Sequence, residues 1–189
     1  MELHSAVFFD RDGTINKEVG YLAHLDQLYL YQVSYEAIRL VNEAGMKAVV
    51  FTNQSGVARG FFEEGFLDVL HRRIQEILAE QKAFIDGFYY CPHHPTEGSD
   101  PYRRICNCRK PEAGMLIRAS EDLGIELARS YIIGDHSSDI EAAKRVSAKS
   151  VLVRTGHGAS ESHKVRHLAD FIADDVLDAV NWIMKDREK

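Results

Sequence analysis

Apolar, β-prone runs that break off into short polar turns recur along this chain, with stripes at helical spacing between them. Ala6–Phe9 predicts a buried first strand, cut short by Asp10-Arg11-Asp12-Gly13-Thr14. An irregular stretch from Ile15 to Gln32 follows. A helix then opens at Ser34 or Tyr35, carries Ala37, Ile38, Val41 and Ala44 on one face, and stops at Gly45. Met46–Thr52 predicts a second buried strand, ending in Asn53-Gln54-Ser55-Gly56. Phe66, Leu67, Leu70, Ile74, Ile77 and Leu78 predict a long helix from about Glu63 to Gln81, and Phe84–Cys91 a third strand. After a polar loop, Met115, Leu116, Ala119 and Leu123 mark a helix with Pro111 near its first position and Gly124 just past its end. Ser130–Gly134 is a strand ending at Asp135. Ser138-Asp139-Ile140-Glu141 fits a capping box for a helix running to about Val146. Strands at Ser150–Arg154 and Asp170–Ala173 and a helix at Val176–Met184 complete the pattern.

Strands alternating with helices predict an α/β fold, a three-layer doubly wound and mostly parallel sheet with right-handed crossovers. No repeat, low-complexity tract or linker marks a boundary, so residues 1–189 read as a single domain. Hydrophobic content of 45% and charged content of 28% describe a globular chain with enough apolar surface for a sizeable core. The formal charge of −6 argues against a broad nucleic-acid or anionic-membrane surface, and no window reaches transmembrane length. The start lacks a basic, apolar leader. The expectation is a cytoplasmic monomer acting on a small molecule.

Parallel sheets keep their chemistry at the carboxyl edge, where each strand here delivers a polar turn. Taken alone, Asp10 and Asp12 are either a pair of ligands for a hard cation or an ordinary Asp-Gly turn. The set in order decides more: Asp-x-Asp-Gly-Thr after the first strand, Thr52 and Asn53 after the second, Arg109 and Lys110 ahead of a helix, then Gly134-Asp135 with Asp139. This order resembles the haloacid dehalogenase superfamily of phosphatases over nearly the whole chain.

The resemblance implies a nucleophile at Asp10, which would form an aspartyl-phosphate, and a general acid then base at Asp12. Magnesium, which takes oxygen ligands, would be held by Asp10, Asp12 and Asp135, with the main chain of His136 completing the site. Lys110, the Thr52 hydroxyl and nearby backbone N–H groups would steady the transferred phosphoryl group. Lys110 would gain from standing at a helix N-terminus. Asp139 reads either as a residue orienting Lys110 or a metal-bound water, or as a helix cap. His136 is a departure, since relatives usually carry Lys there; activity is expected to survive the change.

Cys91-Pro92-His93 and Cys106-Asn107-Cys108 flank a loop and supply three thiols and one imidazole, the ligand set of a closed structural zinc site. The competing reading is free thiols beside a surface His. With the zinc loop at about 91–108 and no insert long enough for a cap domain, the chain is similar to the heptose-bisphosphate phosphatase family, which removes the 7-phosphate of D-glycero-D-manno-heptose 1,7-bisphosphate on the way to nucleotide-activated heptose. That resemblance implies substrate contacts from Glu18, Val19, Gly20 and Tyr21, from Thr52, Asn53, Gln54 and Ser55, and from Arg109 and Lys110. Arg109 would read the sugar or its remaining phosphate through its planar fork. Histidinol-phosphate phosphatases carry similar motifs and are the nearest alternative. A non-catalytic phosphosugar-binding module is the other.

Overall fold

Period-two alternation in the first strand decides how the layers form. In the computed structural model, which describes residues 3–188, β1 (Ala6–Phe9) sends Val7 and Phe9 to one face of the sheet and Ala6 and Phe8 to the other, all fully buried. A strand apolar on both faces needs cover on both. Helices α1 (Gln32–Glu43), α2 (Gly65–Glu80) and α6 (Val176–Asp186) bury Ile38, Ile74 and Val180 against the Val7 and Phe9 face. Helices α3 (Gly114–Leu123) and α4 (Ser137–Arg145) bury Leu116 and Ala142 against Phe8.

The remaining strands are β2 (Lys47–Asn53), β3 (Gly87–Cys91), β4 (Tyr131–Gly134), β5 (Lys149–Val153) and β6 (Phe171–Ala173). All five pairings are parallel, in the order β3-β2-β1-β4-β5-β6. The chain therefore winds outward from β1 through β2 to β3, returns to the far side of β1, and winds outward again through β4. Helices on either side of that reversal splay apart, leaving a crevice at the carboxyl ends of β1 and β4. Asp10 and Asp135 are the residues that follow those ends.

Several elements differ from the pattern read along the chain. Helix α5 (Gly158–Val165) was not foreseen, because Gly-Ala-Ser-Glu-Ser-His-Lys-Val presents little apolar stripe beyond Val165. Helix α3 starts at Gly114, so Pro111 lies three residues ahead of it rather than at its first position, while Gly124 closes the helix in the left-handed region at φ 63° as foreseen. The capping box of α4 is His136 with Asp139, not Ser138 with Glu141. Between β1 and α1 the chain forms a short 3-10 turn at Leu25–Gln27 and isolated bridges that pair Asn16 with Asp12 and Leu30. No helix among the described residues is long and apolar enough to cross a membrane.

Candidate active site

The crevice holds a cavity of about 550 Å³. Its floor is built by chain ends that the sheet cannot help bringing together. Asp10 extends β1 by one hydrogen bond, its N–H donating to Ile133 O at 2.8 Å, which aims its side chain out of the sheet edge beside β4. Asp135 leaves β4 between two glycines. A Cβ on Gly13 would stand 2.2 Å from Asp135 Oδ2, and one on Gly156 would stand 2.1 Å from it, so both positions need the missing side chain. The same Oδ2 accepts the His157 N–H at 2.7 Å. Asp139 sits in the first turn of α4, where its Oδ2 accepts the His136 N–H at 3.0 Å.

Oxygens of Asp10, Asp135 and Asp139 all lie within 4.8 Å of one another, and all three residues are buried. Among the described residues, the cation that meets them is Lys110, whose Nζ is 2.7 Å from Asp10 Oδ1 and 2.7 Å from Asp139 Oδ1. Three buried carboxylates facing one ammonium leave an excess of negative charge, which favours the protonated carboxyl. Burial, with Asp10 and Asp139 close by, pushes Asp135 up to about 9. Burial likewise raises Asp10 to about 6, against the opposing pull of Lys110. Lys110 is itself desolvated, yet the two carboxylates more than offset that and hold its charge firmly.

Lys110 reaches this position through a clamp rather than through a helix. Asn53 Oδ1 accepts the Lys110 N–H at 3.0 Å and Asn53 Nδ2 donates to the Lys110 carbonyl at 3.2 Å, tying the end of β2 to the Lys110 segment. The expected placement at a helix N-terminus does not hold, since α3 begins four residues later.

Asp12 behaves differently from the other carboxylates. Its Oδ1 accepts from Arg11 Nε at 3.2 Å and Asn16 Nδ2 at 2.8 Å, and its Oδ2 from Arg11 Nη2 at 2.8 Å and Gln54 Nε2 at 2.8 Å. Burial works to raise its pKa, but Arg11 and these donors outweigh it and hold the carboxyl below the usual range. The Asp12 side chain, expected beside Asp10 and Asp135 around one ion, is held instead by these four donors and lies outside the cluster that Asp10 and Asp135 form with Asp139. Gln54 Nε2 also donates to Thr52 Oγ1 at 2.8 Å, so Thr52 and Asp12 are oriented by one amide.

Glu18, Gly20, Tyr21, Thr52, Asn53, Gln54, Ser55, Arg109, Lys110 and His136 all line the cavity with Asp10, Asp12 and Asp135. Val19 does not, and it is 40% exposed. His157 and Ser138 line it too, although the pattern along the chain marks Ser138 only as a helix cap and leaves His157 out. The clue to His157 was Gly156-His157-Gly158, a further polar turn at the end of β5.

A HAD-hydrolase-like family model matches residues 107–179. A D-glycero-beta-D-manno-heptose-1,7-bisphosphate 7-phosphatase of Salmonella typhi is 39% identical over 97% of this chain and 97% of its own. The enzyme of the same name from Escherichia coli strain K12 is 38% identical, over 97% and 95%. This chain belongs to the heptose-bisphosphate phosphatase family. A D,D-heptose 1,7-bisphosphate phosphatase from B. bronchiseptica, crystallised with magnesium and phosphate, superposes with a TM-score of 0.85 at 28% identity, covering 96% of this chain and 99% of that one. The family is one of phosphoric monoester hydrolases with the haloacid dehalogenase fold.

In this family member, a second cluster stands beside the crevice. The sulfurs of Cys91, Cys106 and Cys108 are 3.1 to 3.5 Å apart, and His93 Nδ1 is 3.3 Å from Cys108 Sγ and 3.7 Å from Cys91 Sγ. Four ligands about 2.0 to 2.3 Å from a tetrahedral ion have edges of about this length. Crowding of the sulfurs also lowers the Cys108 thiol to about 5, chiefly through its hydrogen bond with Cys91, whose own thiol is pushed up. Arg109 follows directly, and its Nη1 donates to the His93 carbonyl at 3.1 Å. His136 caps α4, its Nδ1 accepting the Ser138 N–H at 3.3 Å, while burial lowers its pKa.

Proposed function

We propose that this protein removes the 7-phosphate of D-glycero-beta-D-manno-heptose 1,7-bisphosphate, with magnesium in the catalytic crevice and zinc in the cysteine loop. The observation that carries the reading is the convergence of Asp10, Asp135 and Asp139 on one point with Lys110 between two of them. The identity of the full-length relatives supports the choice of substrate.

The donor set fits magnesium. Its oxygens are hard ligands, and the surplus negative charge that raises Asp10 and Asp135 is what a divalent ion neutralises. When bound, the ion would draw charge from the phosphoryl oxygens and keep Asp10 ionised. Asp10 is the nucleophile in this reading: its free oxygen attacks phosphorus in line with the sugar oxygen, and an aspartyl-phosphate results. Lys110 and the Thr52 hydroxyl bind the equatorial oxygens, where charge is spread in the transition state.

Asp12 handles protons. Its four donors favour the ionised form, which suits the second half-reaction, in which it takes a proton from the attacking water. For the first half it must give a proton to the leaving sugar oxygen. Arrival of a phosphoryl dianion raises a neighbouring carboxyl pKa and loads that proton.

Zinc fits the second cluster by donor type and spacing, and its work there is to fix the loop that carries Arg109 and Lys110. Arg109, which lines the cavity, reads the distal phosphate in this proposal. Glu18, Gly20 and Tyr21 also line the cavity.

The test is steady-state turnover of the heptose bisphosphate and of histidinol phosphate with magnesium. Preference for the heptose bisphosphate by about 100-fold in kcat/KM, abolished in Asp10→Asn, is expected. Preference for histidinol phosphate would overturn the substrate assignment.

A further inference from the structure

His71 of α2 does not line the cavity, but it meets the arginine that holds Asp12. It is 6% exposed, and its ring lies flat on Phe88 of β3, with centroids 4.6 Å apart and planes at 14°. Its Nε2 is 3.4 Å from Nη1 of Arg11. Arg11 is fully buried, which is rare for a guanidinium and demands partners for its N–H groups. Nε and Nη2 are both spent on Asp12. His71 is what meets the third nitrogen.

Burial and the charge of Arg11 lower the His71 pKa to about 3, so the ring is neutral at every working pH. A neutral ring with its proton on Nδ1 presents an acceptor lone pair at Nε2. It takes an N–H from Arg11 without adding a second positive charge. Phe88 fixes the plane of the ring, and so the direction of that lone pair.

We infer that His71 is a positioning residue for proton transfer by Asp12, acting through Arg11. The inference rests on the role of Asp12 proposed above. The fork of Arg11 grips both oxygens of Asp12, so a rotation of the guanidinium swings the carboxyl group with it. With the Nη1 acceptor gone, a buried N–H is left unpaired, and Arg11 must turn to find another partner. Asp12 then points its proton away from the leaving oxygen.

The test compares kcat/KM for two leaving groups, because that constant covers the steps up to departure of the first product. The sugar alkoxide of heptose bisphosphate needs a proton to leave, whereas the phenolate of p-nitrophenyl phosphate does not. His71→Phe keeps a flat ring but offers no acceptor. His71→Gln offers an amide oxygen in a similar place. Positioned general acids contribute roughly 100-fold or more, and a misaimed one should forfeit about 10-fold. In His71→Phe the ratio of sugar to aryl kcat/KM should therefore fall about 10-fold with the aryl value within about 2-fold of wild type, and in His71→Gln the ratio should return. Should His71→Phe fail to fold, His71→Leu and Arg11→Lys take its place, and the same fall in ratio is expected. Equal losses on both substrates, or an unchanged ratio in the variants lacking the acceptor, would overturn the inference. A wild-type protein inactive on both substrates would instead refute the functional reading on which it rests.

Discussion

The ammonium of Lys110 lies 2.7 Å from Asp10 Oδ1, and both groups are almost wholly removed from solvent. Coming from residues 100 apart in sequence, they tie the turn after β1 to the segment that follows the cysteine loop. The pair is also where stability and chemistry meet. Lys110→Met would leave Asp10 and Asp139 facing each other without their shared cation. Breaking a buried pair on one side costs about 3 to 5 kcal/mol, and losing one donor to a developing phosphoryl charge costs about 100 to 1,000-fold in kcat. Thermal melts and steady-state assays of Lys110→Met should show both losses. Lys110→Arg should not restore activity, since a planar fork cannot occupy the place of a compact point charge.

Protonation of the metal-free site gives a pH dependence of definite sign. Asp10 is raised to about 6 and Asp135 to about 9, whereas both titrate near 4 when unfolded. Between about pH 4 and pH 9 the folded chain holds protons at these groups that the unfolded chain has lost. Their contribution to stability is thus fully present below about pH 4 and is lost as pH rises through 6 and then 9. Magnesium replaces those protons. The rise in melting temperature on adding magnesium should be larger at pH 8.5 than at pH 5.5. An equal or larger rise at pH 5.5 would show that the carboxylates do not carry the ion.

Gly13 offers a steric test of the same site. Its φ is 82°, and a Cβ there would fall on Asp135 Oδ2. Gly45 has a φ of 70° with nothing within 4 Å, so Gly45→Ala carries the backbone strain alone, about 1 to 2 kcal/mol. Gly13→Ala should show a similar strain and, in addition, a magnesium half-saturation at least about 10-fold higher in activity titrations, while Gly45→Ala leaves that value unchanged.

The cysteine cluster makes a prediction about substrate affinity. Because Arg109 follows Cys108 and donates to the His93 carbonyl, loosening the loop should disturb binding more than chemistry. Cys106→Ser should release zinc, measured by emission spectrometry of the purified protein. It should also raise KM about 5-fold or more, with a smaller change in kcat. Retained zinc with unaltered kinetics would separate the cluster from recognition.

Much of this was legible along the chain, for a physical reason. Each strand is an apolar run that ends in a polar turn, so Ala6–Phe9 and Tyr131–Gly134 could be placed almost to the residue, and the parallel arrangement then forced Asp10 and Asp135 together. What sequence spacing could not supply was orientation. Asp10 and Asp12 are two residues apart and look equivalent, yet one faces Lys110 and the other is captured by Arg11, Asn16 and Gln54. Spacing alone leaves Asp139 as a cap or an orienting group; in the fold its Oδ2 accepts the His136 N–H and its Oδ1 meets Lys110. Helix α5 escaped notice because its burial comes from Val165, Glu161 and Gly158 rather than from an apolar stripe. His71 and Arg11 carried no signal at all, since their meeting depends on how α2 lies across the sheet.

The central claim, a phosphatase that uses Asp10 against the 7-phosphate of a heptose bisphosphate, is tested most directly by following the two phosphorus resonances of that substrate during turnover with magnesium. The account predicts that the 7-phosphate signal is replaced by inorganic phosphate at the same rate while the anomeric phosphate signal persists, and that Asp10→Asn leaves both unchanged. Release of the anomeric phosphate, or turnover that survives in Asp10→Asn, would contradict it.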